Sequence, residues 1–182
     1  MTTTSTASIH PNTADGSRKT QADTPPSVAQ PTTGQETARP EPTRGTRQIR
    51  TSNRILINAL LQSAQVPPAN IHQEHWGDDP ARAAERLASE PFAAAEMILI
   101  SGGASVGEHD YTARLLEGAG FDLVVRKVNM RPGRPLLMGL RGRQIAFGVP
   151  GNPVSHLVCF YLCVQQAVAR MRGLKVSEWR KI

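Results

Sequence analysis

"SGGASVGEHDYTARLLE", Ser101–Glu117, packs three glycines, two serines and an acid–His–acid cluster between an apolar run and an amphipathic one. The residues before it, "AAEMILI" (Ala94–Ile100), have the length and apolarity of a strand buried on both faces, as in a parallel sheet. From about His109 to Gly118 the apolar positions recur at helical spacing. Strand, glycine loop and helix in that order make half of a βαβ unit, and the rest of the chain is read outward from it.

Upstream, "GDDPARAAERLASE" (Gly77–Glu90) offers Asp78 or Asp79 as an N-cap and Pro80 at the first helical position. "ANIHQE" (Ala69–Glu74) is a weak strand. "TSNRILINALLQSAQ" (Thr51–Gln65) predicts a helix ended by Pro67-Pro68. Downstream, "FDLVVRKVNM" (Phe121–Met130) reads as a strand, "RPGRPLLMGL" (Arg131–Leu140) as a turn into a strand, and "RQIAFGV" (Arg143–Val149) as another strand. "PGNPVSHLVCFYLCVQQAVARMRG" (Pro150–Gly173) then predicts one long helix, with Asn152 as cap, Pro153 first and Gly173 as its end. Alternating strands and helices predict an α/β fold of three layers, α/β/α, around a mostly parallel sheet.

Apolar content is uneven along the 182 residues. Of the whole chain 39% is hydrophobic and 4% aromatic, yet no aromatic precedes Trp76, and the first 46 residues hold only Met1, Ile9 and Val28 as large apolar side chains. Residues 1–46, rich in Thr, Pro, Ala and Gln, are therefore expected to form a disordered tail, because they cannot bury enough surface to offset ordering entropy. The α/β domain is expected over 47–175, with a short tail at 176–182. A domain of this class normally starts with a strand, but here the tail runs into a helix. The expectation is that the first core strand is missing.

The net charge of +6 is concentrated. Arg126, Lys127, Arg131, Arg134, Arg141 and Arg143 fall in one run without an acid, matching the whole net charge. Such clustering suits a discrete anionic ligand, with a solvated basic face as the competing reading. No aromatic interleaves with the run, which argues against a single-stranded nucleic acid. No apolar run approaches a membrane span, and no secretory core opens the chain. Cys159 and Cys163 lie four apart on one helical face, too wide for a relaxed disulfide, and read as reduced core residues of a cytoplasmic protein.

In open α/β sheets ligands sit beyond the carboxyl ends of the strands, where both glycine-bearing loops fall: Ser101–Gly107 and Pro150–Asn152. Gly102, Gly103 and Gly107 allow backbone N–H groups to turn toward an anion, and Ser101 and Ser105 add hydroxyls. Asp110 would repel a phosphate unless a divalent cation lay between them; its alternative is a first-turn acid serving the helix dipole. Asp78 and Asp79 carry the simpler reading of helix caps. "MRPGRP" sets Arg131 and Arg134 around a Pro-Gly turn, as a clamp for an oxyanion or as a solvated hairpin. Glu108 and His109 read as solvent-facing, and His10, His72, His75 and His156 show no ligand spacing and are given no role.

"SGGASVGEHDYT", "VNMRPGRPLLMG" and "FGVPGNPVSHLVCF", in this order, resemble the signature segments of the molybdopterin molybdenumtransferase family, the group containing the gephyrin E domain. "RQIRTSNRILINALLQ" and "WGDDPARAAERL" resemble the segments before them, so the resemblance runs from Arg47 to Gly173. It implies insertion of molybdate into the dithiolene of adenylylated molybdopterin with release of AMP, aided by Mg²⁺. On that resemblance Ser101, Gly102, Gly103, Ser105 and Gly107 hold the phosphates, with Pro150, Gly151, Asn152 and Ser155 lining the pocket from the other loop. Asp110, with Asp79 from the "DDP" segment, positions the metal, and Asp110, Lys127, Arg131 and Arg134 are the catalytic set.

Arginine stands at 131 and 134 where the family has lysine. Members are more than twice this length, with two domains before this one and a small β domain after it. The resemblance also calls for an opening strand with a "TGDE"-like loop, which the tail is expected to have replaced. Four readings follow: an enzyme or its catalytic part, alone, as a homodimer or with a partner chain supplying the missing domains; a non-catalytic molybdopterin or AMP-binding module; a truncated remnant; and, least favoured, a nucleic-acid binder.

Overall fold

The run Met97–Ser101 is buried at every residue, and its side chains divide by parity. Met97 and Leu99 join one core, while Ile98 and Ile100 join another. That is the period of two expected of a strand covered on both faces. The computed structural model describes residues 27–32, 52–76, 79–102 and 108–174. In chain order the elements are β1 (Val28–Thr32), α1 (Asn53–Ser63), a 3₁₀ turn (Pro68–Asn70), β2 (Ile71–His75), α2 (Pro80–Ala88), β3 (Met97–Ser101), α3 (Glu108–Gly118), β4 (Asp122–Val125), β5 (Leu137–Arg141), β6 (Gln144–Val149), α4 (Pro153–Cys159), a π-helical turn (Phe160–Val164) and α5 (Gln165–Met171).

The strands form one six-stranded sheet in the order β2-β1-β3-β6-β5-β4. The pairs β1–β2, β1–β3 and β3–β6 are parallel, and β5–β6 and β4–β5 antiparallel. One face carries α1 and the α4–π–α5 helix over Val28, Met97, Leu99, Phe147 and Val149. The other carries α2 and α3 over Ala29, Ile98, Ile100 and Ala146. The three-layer, mostly parallel α/β/α architecture is therefore the one expected.

The expectation that the first core strand is missing is overturned. Val28–Thr32, inside the Thr/Pro-rich stretch, is that strand, inserted between β2 and β3. Its entry is fixed by a reciprocal bond set: Ser27 N donates to Glu96 Oε2 at 2.8 Å, and Glu96 N to Ser27 Oγ at 2.8 Å. Met97 N adds a bond to Ser27 O at 2.9 Å. Val28 and Ala29 are fully buried, one on each core. Two apolar residues suffice here because neighbours on both sides satisfy the backbone, and ladder pairing supplies what side chains do not.

The helix ends also differ in detail from the sequence reading. α1 stops before Pro67, with Gln65 at φ 63° and Val66 N returning to Leu61 O at 3.0 Å, a Schellman closure without glycine. The last helix is not uniform: the π turn at Phe160–Val164 interrupts it before α5 closes at Gly173, φ 71°. Cys159 and Cys163 fall at this turn as free thiols, and burial pushes Cys159 up to about 12.

Candidate functional site

Strand register sets the floor of the site. His75 of β2 pairs with Thr32 of β1, Thr32 with Ser101 of β3, and Ser101 with Val149 of β6. Four parallel strands thus run out at one level, neighbours about 4.8 Å apart. The segments that follow them share one edge of the sheet.

At that edge Gly102 and Gly151 meet, one from each glycine-bearing stretch. Gly102 takes φ 109° and its N–H reaches Val149 O at 3.4 Å. A Cβ built on Gly151 would stand 3.7 Å from Gly102 Cα. Positive φ at Gly102 keeps a side chain out and leaves backbone exposed to a ligand. Asn152 caps α4 by accepting from Val154 N at 2.8 Å, and Pro153 takes the first position, as the sequence predicts. Pro150 and Ser155 are buried, Gly151 is half-buried and Asn152 exposed. Gly103, Ser105 and Gly107 lie outside the described residues. Asp110 lies in the first turn of α3, and its side chain is likewise outside the description.

Two residues that the sequence reading passed over belong to this edge. Asn53, the first residue of α1, donates from Nδ2 to Gly151 O at 2.7 Å. No local pattern announces a contact across that separation. His156 is 1% exposed, and its Nε2 lies 3.0 Å from Ser101 Oγ. Burial pushes its pKa down to about 4, partly opposed by the Pro150 carbonyl, so the ring is neutral near pH 7. Here a signal existed: His156, Cys159 and Phe160 share the buried face at spacings of three and four.

Ser101 is also 1% exposed, and its Oγ is engaged by His156. Asp79 behaves as a cap: its Oδ1 accepts from Ala81 N at 3.0 Å and Arg82 N at 3.4 Å. Asp78 lies outside the described residues. Among the described residues no group of three or more His, Cys, Asp or Glu is placed to hold a metal ion.

The basic run splits by function. Arg126 pairs with Glu117. Arg141 stacks on Phe121, 4.5 Å from the ring centre, and donates to Ala119 O at 2.7 Å and to Gln144 Oε1 at 2.8 Å. Both serve the fold. Lys127, Arg131 and Arg134 are exposed and make no ion pair among the described residues. Their turn is seated by Gly133, φ 110°, where a Cβ would meet Met130 Cε at 2.6 Å and Cys159 Sγ at 2.9 Å. Cys159 lies seven residues beyond Asn152, which places the basic turn about 10 Å along the helix from the glycine loops.

Once β1 is in place, the sequence after it becomes legible. Thr33–Glu36 reads "TGQE", where the resemblance calls for a "TGDE"-like loop, with Gln35 in place of the acid. These four residues lie outside the described part of the structure.

Comparison with known proteins agrees with this arrangement. A family model described as "Probable molybdopterin binding domain" matches residues 31–170. A molybdopterin molybdenumtransferase of Nostoc sp. is 33% identical over 138 residues, covering 74% of this chain and 31% of the relative. Its counterpart in Haemophilus influenzae is 41% identical over 87 residues, 48% of this chain and 21% of the relative. The chain thus spans a third or less of these two relatives' length. In structure it resembles the molybdopterin biosynthesis moea protein from Pyrococcus horikosii, with a TM-score of 0.62 and 24% identity over 78% of this chain and 34% of that one, a likeness of fold. Because the family match starts inside β1 and ends inside α5, it takes in the glycine loops and the sheet edge that joins them, and the chain belongs to the family of probable molybdopterin binding domains.

Proposed function

We propose that this domain binds adenylylated molybdopterin at the shared carboxyl edge of β1, β3 and β6 and serves in molybdenum cofactor biosynthesis, where molybdate enters the dithiolene and AMP is released. The observation that carries this reading is the approach of Gly102 to Gly151, which brings two bare backbone segments to one point. The backbone N–H groups of Gly102, Gly103 and Gly107, with the Ser105 hydroxyl, hold the phosphates, and Gly151, Asn152 and Ser155 bound the pocket opposite. As a water oxygen bonds to phosphorus and the anhydride to AMP breaks, charge builds on the two phosphates that separate. The exposed Lys127, Arg131 and Arg134, without an ion pair among the described residues, then neutralise it, with two guanidinium forks suited to bidentate contact. A Mg²⁺ beside the phosphates would be held by Asp110, assisted by Asp79 through the Oδ2 that takes no part in the cap.

We further propose a cytoplasmic setting, in keeping with the free thiols of Cys159 and Cys163. Among the described residues no helix is long and apolar enough to cross a membrane. A second copy or a partner chain is proposed to take part in the full reaction; the match covers 31% of the Nostoc relative. The test is to mix the purified chain with adenylylated molybdopterin, Mg²⁺ and molybdate. AMP release supports the enzyme reading. Tight binding without release would leave a binding module, and no binding would remove the reading. Asp110→Ala should abolish turnover while sparing binding; equal loss of both would defeat the metal role.

A further inference from the structure

We propose that Ser101 and His156 form a buried latch that holds Gly102 in register with the Gly151 loop, so that Ser101 positions the site and does not donate to the ligand. The inference rests on reading this edge as the pterin-nucleotide site. Ser101 closes β3 and His156 lies in the first turns of α4, 55 residues apart, with Oγ and Nε2 at 3.0 Å and both residues 1% exposed. His156 N also donates to Asn152 O at 3.0 Å, tying the ring's backbone to the loop that carries Gly151. Gly102, the residue that meets Gly151, follows Ser101 directly. One hydrogen bond therefore joins the exit of β3 to the loop after β6.

The direction of that bond follows from the other ring nitrogen. His156 Nδ1 is buried with no hydrogen-bond partner among the described residues, and the backbone group acting on the ring is the Pro150 carbonyl. A carbonyl that raises a ring's pKa favours an N–H over a lone pair, and with Nε2 engaged by Ser101 that N–H is assigned to Nδ1. The ring is neutral, so Nε2 is then the acceptor and the Ser101 hydroxyl the donor. Its single proton is spent on His156. What remains on Ser101 is lone pairs, which accept N–H groups and repel an oxyanion. The pair is equally unsuited to nucleophilic catalysis: the hydroxyl is buried, and among the described residues no carboxylate is bonded to the ring.

Calorimetric titration of the full chain with adenylylated molybdopterin, beside thermal melts, tests the latch. Ser101→Ala and His156→Leu should each weaken binding about tenfold, the size of one lost buried hydrogen bond, while cooperative melting persists. The double variant should be no weaker than the worse single, because both remove the same link. His156→Gln, which restores an acceptor for the hydroxyl, should bind within about threefold of the wild type. If Ser101→Ala weakens binding and His156→Leu does not, Ser101 is a direct ligand and the latch is wrong. If both lower only the melting temperature, the pair is plain core and the latch is again wrong.

Should His156→Leu fail to fold, Ser101→Ala and His156→Gln carry the same comparison. If the wild type binds nothing, the site reading has failed, and ¹⁵N spectra of the imidazole judge the latch by itself. A neutral Nδ1–H ring at pH 7 upholds it, and an Nε2–H or charged ring overturns it.

Discussion

In the parallel half of the sheet, β2, β1, β3 and β6 finish in one register row, so topology alone delivers their loops to a common edge. In the antiparallel half, β4 and β5 are joined by residues 126–136, and strand pairing alone does not place the Arg131–Arg134 turn within that connection. What places that turn is packing: Gly133 lies so close to Met130 and Cys159 that no side chain fits between them. The halves also differ in burial. β3 is covered throughout, whereas β4 alternates exposed and half-buried residues and shifts register between Leu123 and Val125. The comparison teaches that the glycine-loop side of the site is a property of the fold. The arginine side is a property of a few side-chain contacts and is the easier part to move.

The largest effect should come from a charge placed in each half. Ala29→Asp puts a carboxylate at a fully buried position of β1 and should abolish cooperative melting, at a cost of about 4 kcal/mol or more. Val124→Asp in β4, 46% exposed, should shift stability by no more than about 0.5 kcal/mol. Equal effects would erase the distinction between the halves.

Acid should loosen the parallel half selectively. His156 titrates near 6.5 when unfolded and about 4 when folded, so the unfolded chain takes up the proton first. Its contribution is complete above pH 6.5 and is lost as the pH falls toward 4, by about 3 kcal/mol in all. Melts across that window should show the loss, and His156→Leu should flatten it. Hydrogen exchange at pH 5 should quicken in β3 and β6 before β4 and β5.

Smaller effects sharpen the arginine side. Gly133→Ala adds a Cβ at φ 110° and should cost about 2 kcal/mol while displacing the basic turn, read as weaker ligand binding by a still-folded chain. Arg141→Ala removes the cover over Phe121 and the bond to Ala119 O, for about 1 kcal/mol without loss of affinity. Arg131→Ala and Arg134→Ala should do the reverse, leaving the melt within about 0.5 kcal/mol and lowering affinity. A stability loss at Arg131 equal to that at Arg141 would remove the division drawn within the basic run.

Where local physics decides an element, the sequence is legible. Asp79-Pro80 and Asn152-Pro153 cap helices as read, and "MILI" is the buried parallel strand its uniform apolarity implies. β1 is illegible by the same rules. "VAQPT" has one large apolar residue, and Pro31 has no N–H to give a ladder, which argues against a central strand. It holds that place through the adjoining Ser27 and through Glu96 and two neighbouring strands that are distant in sequence. The site divides likewise: its glycines and caps are local signals, whereas the Ser101–His156 and Asn53–Gly151 bonds span 55 and 98 residues, and helical spacing marks His156 as buried without naming its partner.

The most direct measurement is amide chemical-shift mapping of the ¹⁵N-labelled chain as adenylylated molybdopterin is added. Convergence of the two loops predicts that Gly102 and Gly151 shift together at the same ligand concentration, with the Arg131–Arg134 turn responding alongside them. Silent Gly102 and Gly151 amides, with the shifts gathered on the exposed side of β4 or on α2, would contradict it.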